Sequence, residues 1–272
     1  MLTRIVNMDR RYVFILVALA VIIPMLFSVS LPVSISQPTQ NLYDYIENLP
    51  AGSTIMLAFD YGPSSLAELN PMARAILIQC FRNDIKVIAL TLYADGTTLA
   101  STLIKEVAEE AQAVDGEDYV FLGFRPGATQ VILGMGTEIA GVFETDLSGK
   151  PLSEIPIMKN IVNYDQIDLL VDLASSATPD AWIIYANVQY GLKIGAGVTG
   201  VMISQMFPYL QTGQLVGLMS GILGAAEYEN LVDVPDKGMQ WINVESFVHL
   251  LIVLLVVIGN IAYLIQRERE ES

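Results

Sequence analysis

Two uninterrupted apolar runs stand near the ends of this chain, and whatever lies between them must fold while held at both sides. Residues 13–31 carry no charge and follow Arg4, Arg10 and Arg11, while residues 247–265 carry none and are followed by Arg267 and Arg269. Each run is long enough to cross the ~30 Å hydrocarbon core of a bilayer, and flanking basic residues stay on the cytoplasmic side. The expected layout is a cytoplasmic N-terminus (1–11), a first transmembrane helix acting as an uncleaved signal anchor (12–31), an extracytoplasmic domain with linkers (32–242), a second transmembrane helix (243–265) and a cytoplasmic tail (266–272). Cleavage of the first run is disfavoured because it is longer than a signal h-region and leads into Pro32 and Pro38 with no Ala-x-Ala site. Both anchors make the lipid bilayer a partner. Within the second, Gly259 and Asn260 are candidates for helix packing or an interhelical hydrogen bond.

The intervening segment alternates strand-length apolar runs with amphipathic stretches. Residues 54–59, 86–93, 119–124 and 168–173 are continuously apolar or nearly so, and helical patterns occupy 65–83 and 97–114. Continuous rather than alternating apolar strands indicate a parallel sheet covered on both faces. With right-handed crossovers this predicts an α/β fold, a Rossmann-like three-layer domain with a mainly parallel sheet. Residues 128–136 are readable as a short helix or a strand, and 144–165 as an irregular excursion.

No charge occurs from Ile194 to Ala226. The first part reads as a fifth strand (194–203) and the rest as a helix over about 214–231. On that helix Gly213, Gly217, Gly221 and Ala225 form a small-residue stripe, because glycines at helical spacing permit close approach of another backbone. The stripe is a candidate contact surface, either internal or toward a partner.

Composition excludes several functions. Between the terminal segments nine Lys and Arg stand against 25 Asp and Glu, a net charge of −16, which repels a phosphate backbone and makes nucleic acid an improbable partner. The only histidine, His249, lies in the second apolar run, so the central domain has no Ser-His-Asp triad, no Cys-His pair and no His-ligated zinc. Cys80 is the sole cysteine and cannot form an intramolecular disulfide. No nucleotide-binding fingerprint follows any strand; the G-x-G-x-x-G spacing at 195–200 falls inside one. No cofactor or metal is expected, and the chain is not expected to be an enzyme.

In a parallel α/β sheet, ligands bind beyond the carboxyl ends of the strands. The candidate ligand-binding residues there are Asp60, Tyr61, Ser64 and Ser65 after the first strand, Asp95 and Thr97 after the second, Ser175 and Ser176 after the fourth, and Thr199 after the fifth. The same residue types serve as helix N-caps, which is the competing explanation. The expectation is a non-catalytic interaction or assembly subunit of a membrane complex, partnered by another membrane protein or by a second copy of itself. The alternative is a receptor for a small polar ligand at the strand ends. A weaker alternative is a carboxylate-based hydrolase pairing Asp60 with Glu68 or Asp95.

Overall fold

The computed structural model describes residues 9–26 and 32–271. The chain divides into two compact units, residues 33–238 and the terminal segments on either side of them.

Residues 33–238 build a six-stranded, all-parallel sheet from β1 (Thr54–Asp60), β2 (Lys86–Thr91), β3 (Tyr119–Phe124), β4 (Leu169–Ala174), β5 (Ile194–Val198) and β6 (Leu215–Ser220). Their order is β3-β2-β1-β4-β5-β6, that of a doubly wound sheet whose direction of winding reverses between β1 and β4. Every residue of β1 and β4 is buried, which is why both read as unbroken apolar runs.

Successive strand residues point to opposite faces and feed two separate cores. Ile55, Leu57 and Phe59 join Val171 and Leu173 in one core, while Met56 and Ala58 join Leu170, Ala196 and Leu218 in the other. The first core is closed by α2 (Gln37–Glu47), α3 (Leu66–Arg82), α4 (Gly96–Ala111) and α10 (Gly221–Leu231). On the second pack α5 (Ala128–Thr137), α6 (Ile139–Val142), the helical run from α7 (Thr178–Trp182) through a π-helical segment Ile183–Asn187 to α8 (Val188–Tyr190), and α9 (Ile203–Gln211). The ambiguous stretch at 128–136 is therefore helical. The excursion at 144–165 borders an edge strand: Leu147 N–H donates to Phe121 O at 2.9 Å, occupying a β3 acceptor that would otherwise be free to pair with another chain.

The charge-free run departs from the sequence reading. The fifth strand ends at Val198 rather than continuing to 203, and α9 follows it. The expected helix over 214–231 is a strand and then a helix: β6 lies between Gly213 at φ +74° and Gly221 at φ +59°. Gly213, Gly217, Gly221 and Ala225 thus share no helical face. Gly217 is small for another reason. A Cβ there would stand 2.5 Å from Leu42 N and 2.7 Å from Pro38 O, so the glycine lets α2 lie directly on the last strand.

The other unit contains α1 (Arg10–Leu26) and α11 (Lys237–Glu271), which begins in the first unit and continues beyond it. Among the described residues one helix, Lys237–Ile265, is long and apolar enough to cross a membrane, with mean hydropathy 2.6. It starts six residues before the expected boundary at 243, taking in the last residues of the segment expected to be domain and linker. Leu250, Val253, Val256 and Ile261 are exposed along it, the pattern of a helix whose apolar surface is not spent on a protein core. The expected first span is described only as far as Leu26, and residues 27–31 lie outside the described residues; α1 itself covers 17 residues, with Pro24 inside. Asn260 is exposed, and a Cβ on Gly259 would meet no atom within 4 Å.

Candidate functional site

The reversal between β1 and β4 opens their carboxyl ends side by side, and two carboxyl groups meet there. In the ladder Ala58 pairs with Asp172 and Asp60 with Ala174, so Asp60 and Asp172 lie two residues apart along neighbouring strands, on the same face of the sheet. Both are fully buried. Asp60 Oδ1 accepts the Leu92 N–H at 2.6 Å, and its Oδ2 receives a longer contact of 3.4 Å from the Trp182 indole N–H. Asp172 has no such donors: neither of its oxygens has a hydrogen-bond partner, and neither does the nearby buried hydroxyl of Thr178.

This asymmetry sets the charge state. Burial pushes Asp60 up to about 6, opposed by the Leu92 amide, Trp182 and Asp172. Burial together with the adjacent charge of Asp60 holds Asp172 well above the usual carboxylate range. Two acids this close cannot both ionise in a site removed from water. The proton is therefore held more firmly on Asp172, and Asp60, with its hydrogen-bond donors, is the first of the two to ionise.

The neighbouring turns are tightly built. The Thr91 hydroxyl lies 2.7 Å from Phe59 O, and a Cβ on Gly96 would stand 2.4 Å from the same carbonyl. Gly62 lies beside the β2 exit, where a Cβ would be 3.2 Å from the Tyr93 ring and 3.6 Å from Asp95 Cβ. At the far side, Glu68 Oε2 accepts the Gly200 N–H at 2.8 Å, tying the start of α3 to the β5 exit.

The expected site residues separate into groups. Asp60 is central and Asp172 is its partner, rather than Glu68, which is bonded to Gly200, or Asp95, which is exposed. Tyr61 points away from the pair into the first core, where its hydroxyl donates to Asn70 Oδ1 at 3.0 Å. Thr97 closes a local turn by donating to Ala94 O at 2.9 Å. Ser64 is exposed, Ser65 is buried, and Ser175 and Ser176 are half-buried; the Ser175 N–H reaches Asp60 O at 3.3 Å. Thr199 is buried and its hydroxyl has no partner.

N-capping does not account for these side chains. Neither Ser65 before α3 nor Asp95 before α4 makes a side-chain capping bond, and α7 is preceded by Ala177. Asp172 and Trp182 were not among the expected site residues. Asp172 had a visible signal, as the one charge within Leu169–Ala174. Trp182 had none, because a tryptophan in a helix reads as core.

Among the described residues no group of three or more His, Cys, Asp or Glu is arranged to hold a metal. A cleft of about 210 Å³ lies beside β3, lined by Ser101, Lys105, Tyr119, Phe121 and Leu147 and lacking both members of the acid pair. No family model, curated protein or solved structure matches this chain.

Proposed function

We propose that this chain is a membrane-anchored α/β receptor domain that binds a small polar ligand at the carboxyl ends of β1 and β4, without catalysing a reaction. The observation that carries the reading is the buried Asp60–Asp172 pair at the point where the sheet's winding reverses. A half-ionised acid pair is costly to bury, and perturbed acids of this kind concentrate at functional sites. After the same two strands, Ser64, Ser175 and Ser176 supply polar groups uncommitted to capping. A small neutral or cationic molecule suits them better than an anion, given the negative charge on Asp60.

The proposed setting is a two-pass protein of the cell membrane. Arg4, Arg10 and Arg11 before the first apolar run, and Arg267 and Arg269 after the second, favour both termini in the cytoplasm and the domain outside. Thermal unfolding of the full chain in detergent, measured against a panel of sugars, amino acids, polyamines and divalent cations, tests the binding reading. A saturable rise in Tm that is lost in Ser176→Trp, which fills the exit without touching the acids, supports it. A flat response across the panel counts against it.

A second reading, as an assembly subunit of a membrane complex, is favoured by Val201 and Phe207, which are exposed at the turn before α9 and on α9 itself. Val201→Asp with Phe207→Asp should then lower the oligomeric mass in light scattering and leave the fold intact.

A further inference from the structure

Two glutamates on α10 are almost completely buried, and each holds a different end of the domain. Glu227 and Glu229 are both 2% exposed. Residues two apart on a helix point to different sides, so one helix can grip two segments. On one side the Ser36 hydroxyl, in the segment that enters the domain, donates to Glu227 Oε2 at 2.6 Å. On the other, Glu229 accepts the Asp236 N–H at 2.9 Å on Oε2 and the Gly238 N–H at 2.8 Å on Oε1, in the segment that leaves the domain.

The surroundings reinforce both grips. Thr39, in the first turns of α2, lies against the end of β6, with its hydroxyl 3.3 Å from Leu218 O. The leaving segment is further held by Arg82, which donates to Val232 O at 2.5 Å, and by Arg74, whose Nε lies 3.0 Å from Asp236 Oδ2. Arg74 also pairs with Glu106 and Glu110 on α4. Gly238 approaches so closely that a Cβ would stand 3.0 Å from Ala225 C and Ala226 N. At its own start α10 abuts a strand exit: a Cβ on Gly221 would be 3.3 Å from Gly200 Cα.

We propose that α10 is a clasp that joins the two ends of the domain through Glu227 and Glu229 and links both to the strand exits at Gly200. The spacing of the domain's ends is then set by one helix instead of by two slack linkers. The Glu229 arm is the one that fixes the leaving segment, because its carboxylate serves two amides, those of Asp236 and Gly238. The Arg74 contacts are auxiliary, since two of the three carboxylates they reach are more than half exposed.

Hydrogen–deuterium exchange on the full chain in detergent tests the clasp, with the amides of β1 and β4 as the internal measure of folding. Glu229→Ala should raise exchange at Asp236 and Gly238 by roughly ten- to a hundredfold, the loss expected for buried charge-assisted bonds. Glu229→Gln keeps one acceptor oxygen and should deprotect only one of the two amides, which keeps the test usable if the alanine variant misfolds. Glu227→Ala should expose residues 33–37 to protease, and Glu227→Gln, which still accepts from Ser36, should restore protection. Unchanged exchange at Asp236 and Gly238 in a folded Glu229 variant overturns the proposal. So does an Arg74→Ala variant that deprotects Gly238 as fully as Glu229→Ala, because the surface ion pairs would then be the true fastening.

Discussion

Asp172 sits opposite Ala58 on β4, and this register brings its carboxyl beside that of Asp60 at the end of β1, with both groups out of water. One residue of slip in the β1–β4 ladder would turn Asp172 into the other core. The acid pair is therefore a product of sheet register. Its energetic sign follows from the same burial. The unfolded chain ionises both groups freely, while the folded chain resists.

Stability should accordingly fall as pH rises. Asp60 is raised from 3.8 to about 6, so its contribution is fully present below 3.8 and is lost as pH climbs through about 6. Asp172, also held well above the usual carboxylate range, adds to the decline. Asp172→Asn keeps the size of the side chain and removes the second ionisation. It should raise Tm at pH 8 by a few degrees, at about 2–4 °C per kcal/mol for a chain of this size, with the gain shrinking toward pH 4. Thermal melts across that range check it. A gain of the same size at every pH would mean that the substitution acts through packing alone.

Trp182 offers a direct view of the pair, because its indole N–H faces Asp60 Oδ2. In a Trp241→Phe background it is the sole tryptophan. Its emission should titrate with a midpoint near the value of about 6 given for Asp60 and lose that transition in Asp60→Asn. Trp182→Phe removes one of the two donors to the carboxylate and should move the pH dependence of stability upward. A titration that persists in Asp60→Asn would assign the signal to another group.

The sheet was legible in the sequence because its central strands are buried on both faces, which writes them as apolar blocks such as 54–59 and 119–124. The last strand was not. In β6 the residues of 215–219 are also apolar, but Gly213, Gly217 and Gly221 repeat at a helical interval, and that spacing outweighed the strand length of the run. Their real reasons are local: Gly213 and Gly221 take positive φ at the two ends of β6, and Gly217 makes room for α2. The candidate site was legible by half. Asp60 ends a strand where a turn visibly begins, but its partner comes from a strand more than a hundred residues later, and no local pattern carries that pairing.

The glycines also separate by cost. Gly217→Ala would drive a Cβ into backbone atoms of Leu42 and Pro38, which cannot swing aside, and should destabilise by about 1–3 kcal/mol as an overpacked core position does. At Gly213 a Cβ would meet nothing within 4 Å, leaving only the cost of φ +74° in a non-glycine residue, about 1 kcal/mol. Urea unfolding of the two variants should therefore rank Gly217→Ala as the weaker fold. The reverse order would mean that α2 does not press on β6 in solution.

Cys80 gives the last check, on the rigidity of the first core. It lies on the inner face of α3, fully buried, and burial pushes its thiol far above the range in which a thiolate forms at neutral pH. It is the only cysteine, so reaction with a thiol reagent reports on this one position. In the native state labelling should proceed only through opening of α3, and its rate should rise in urea along the global unfolding transition. The Tyr228 hydroxyl from α10 donates to Gln79 Oε1 on the adjoining turn, so α10 bars one route to the thiol. Tyr228→Phe should speed labelling in the absence of denaturant, with less effect on the urea midpoint. Rapid labelling of the unmodified chain in buffer would show instead that α3 opens independently of the sheet.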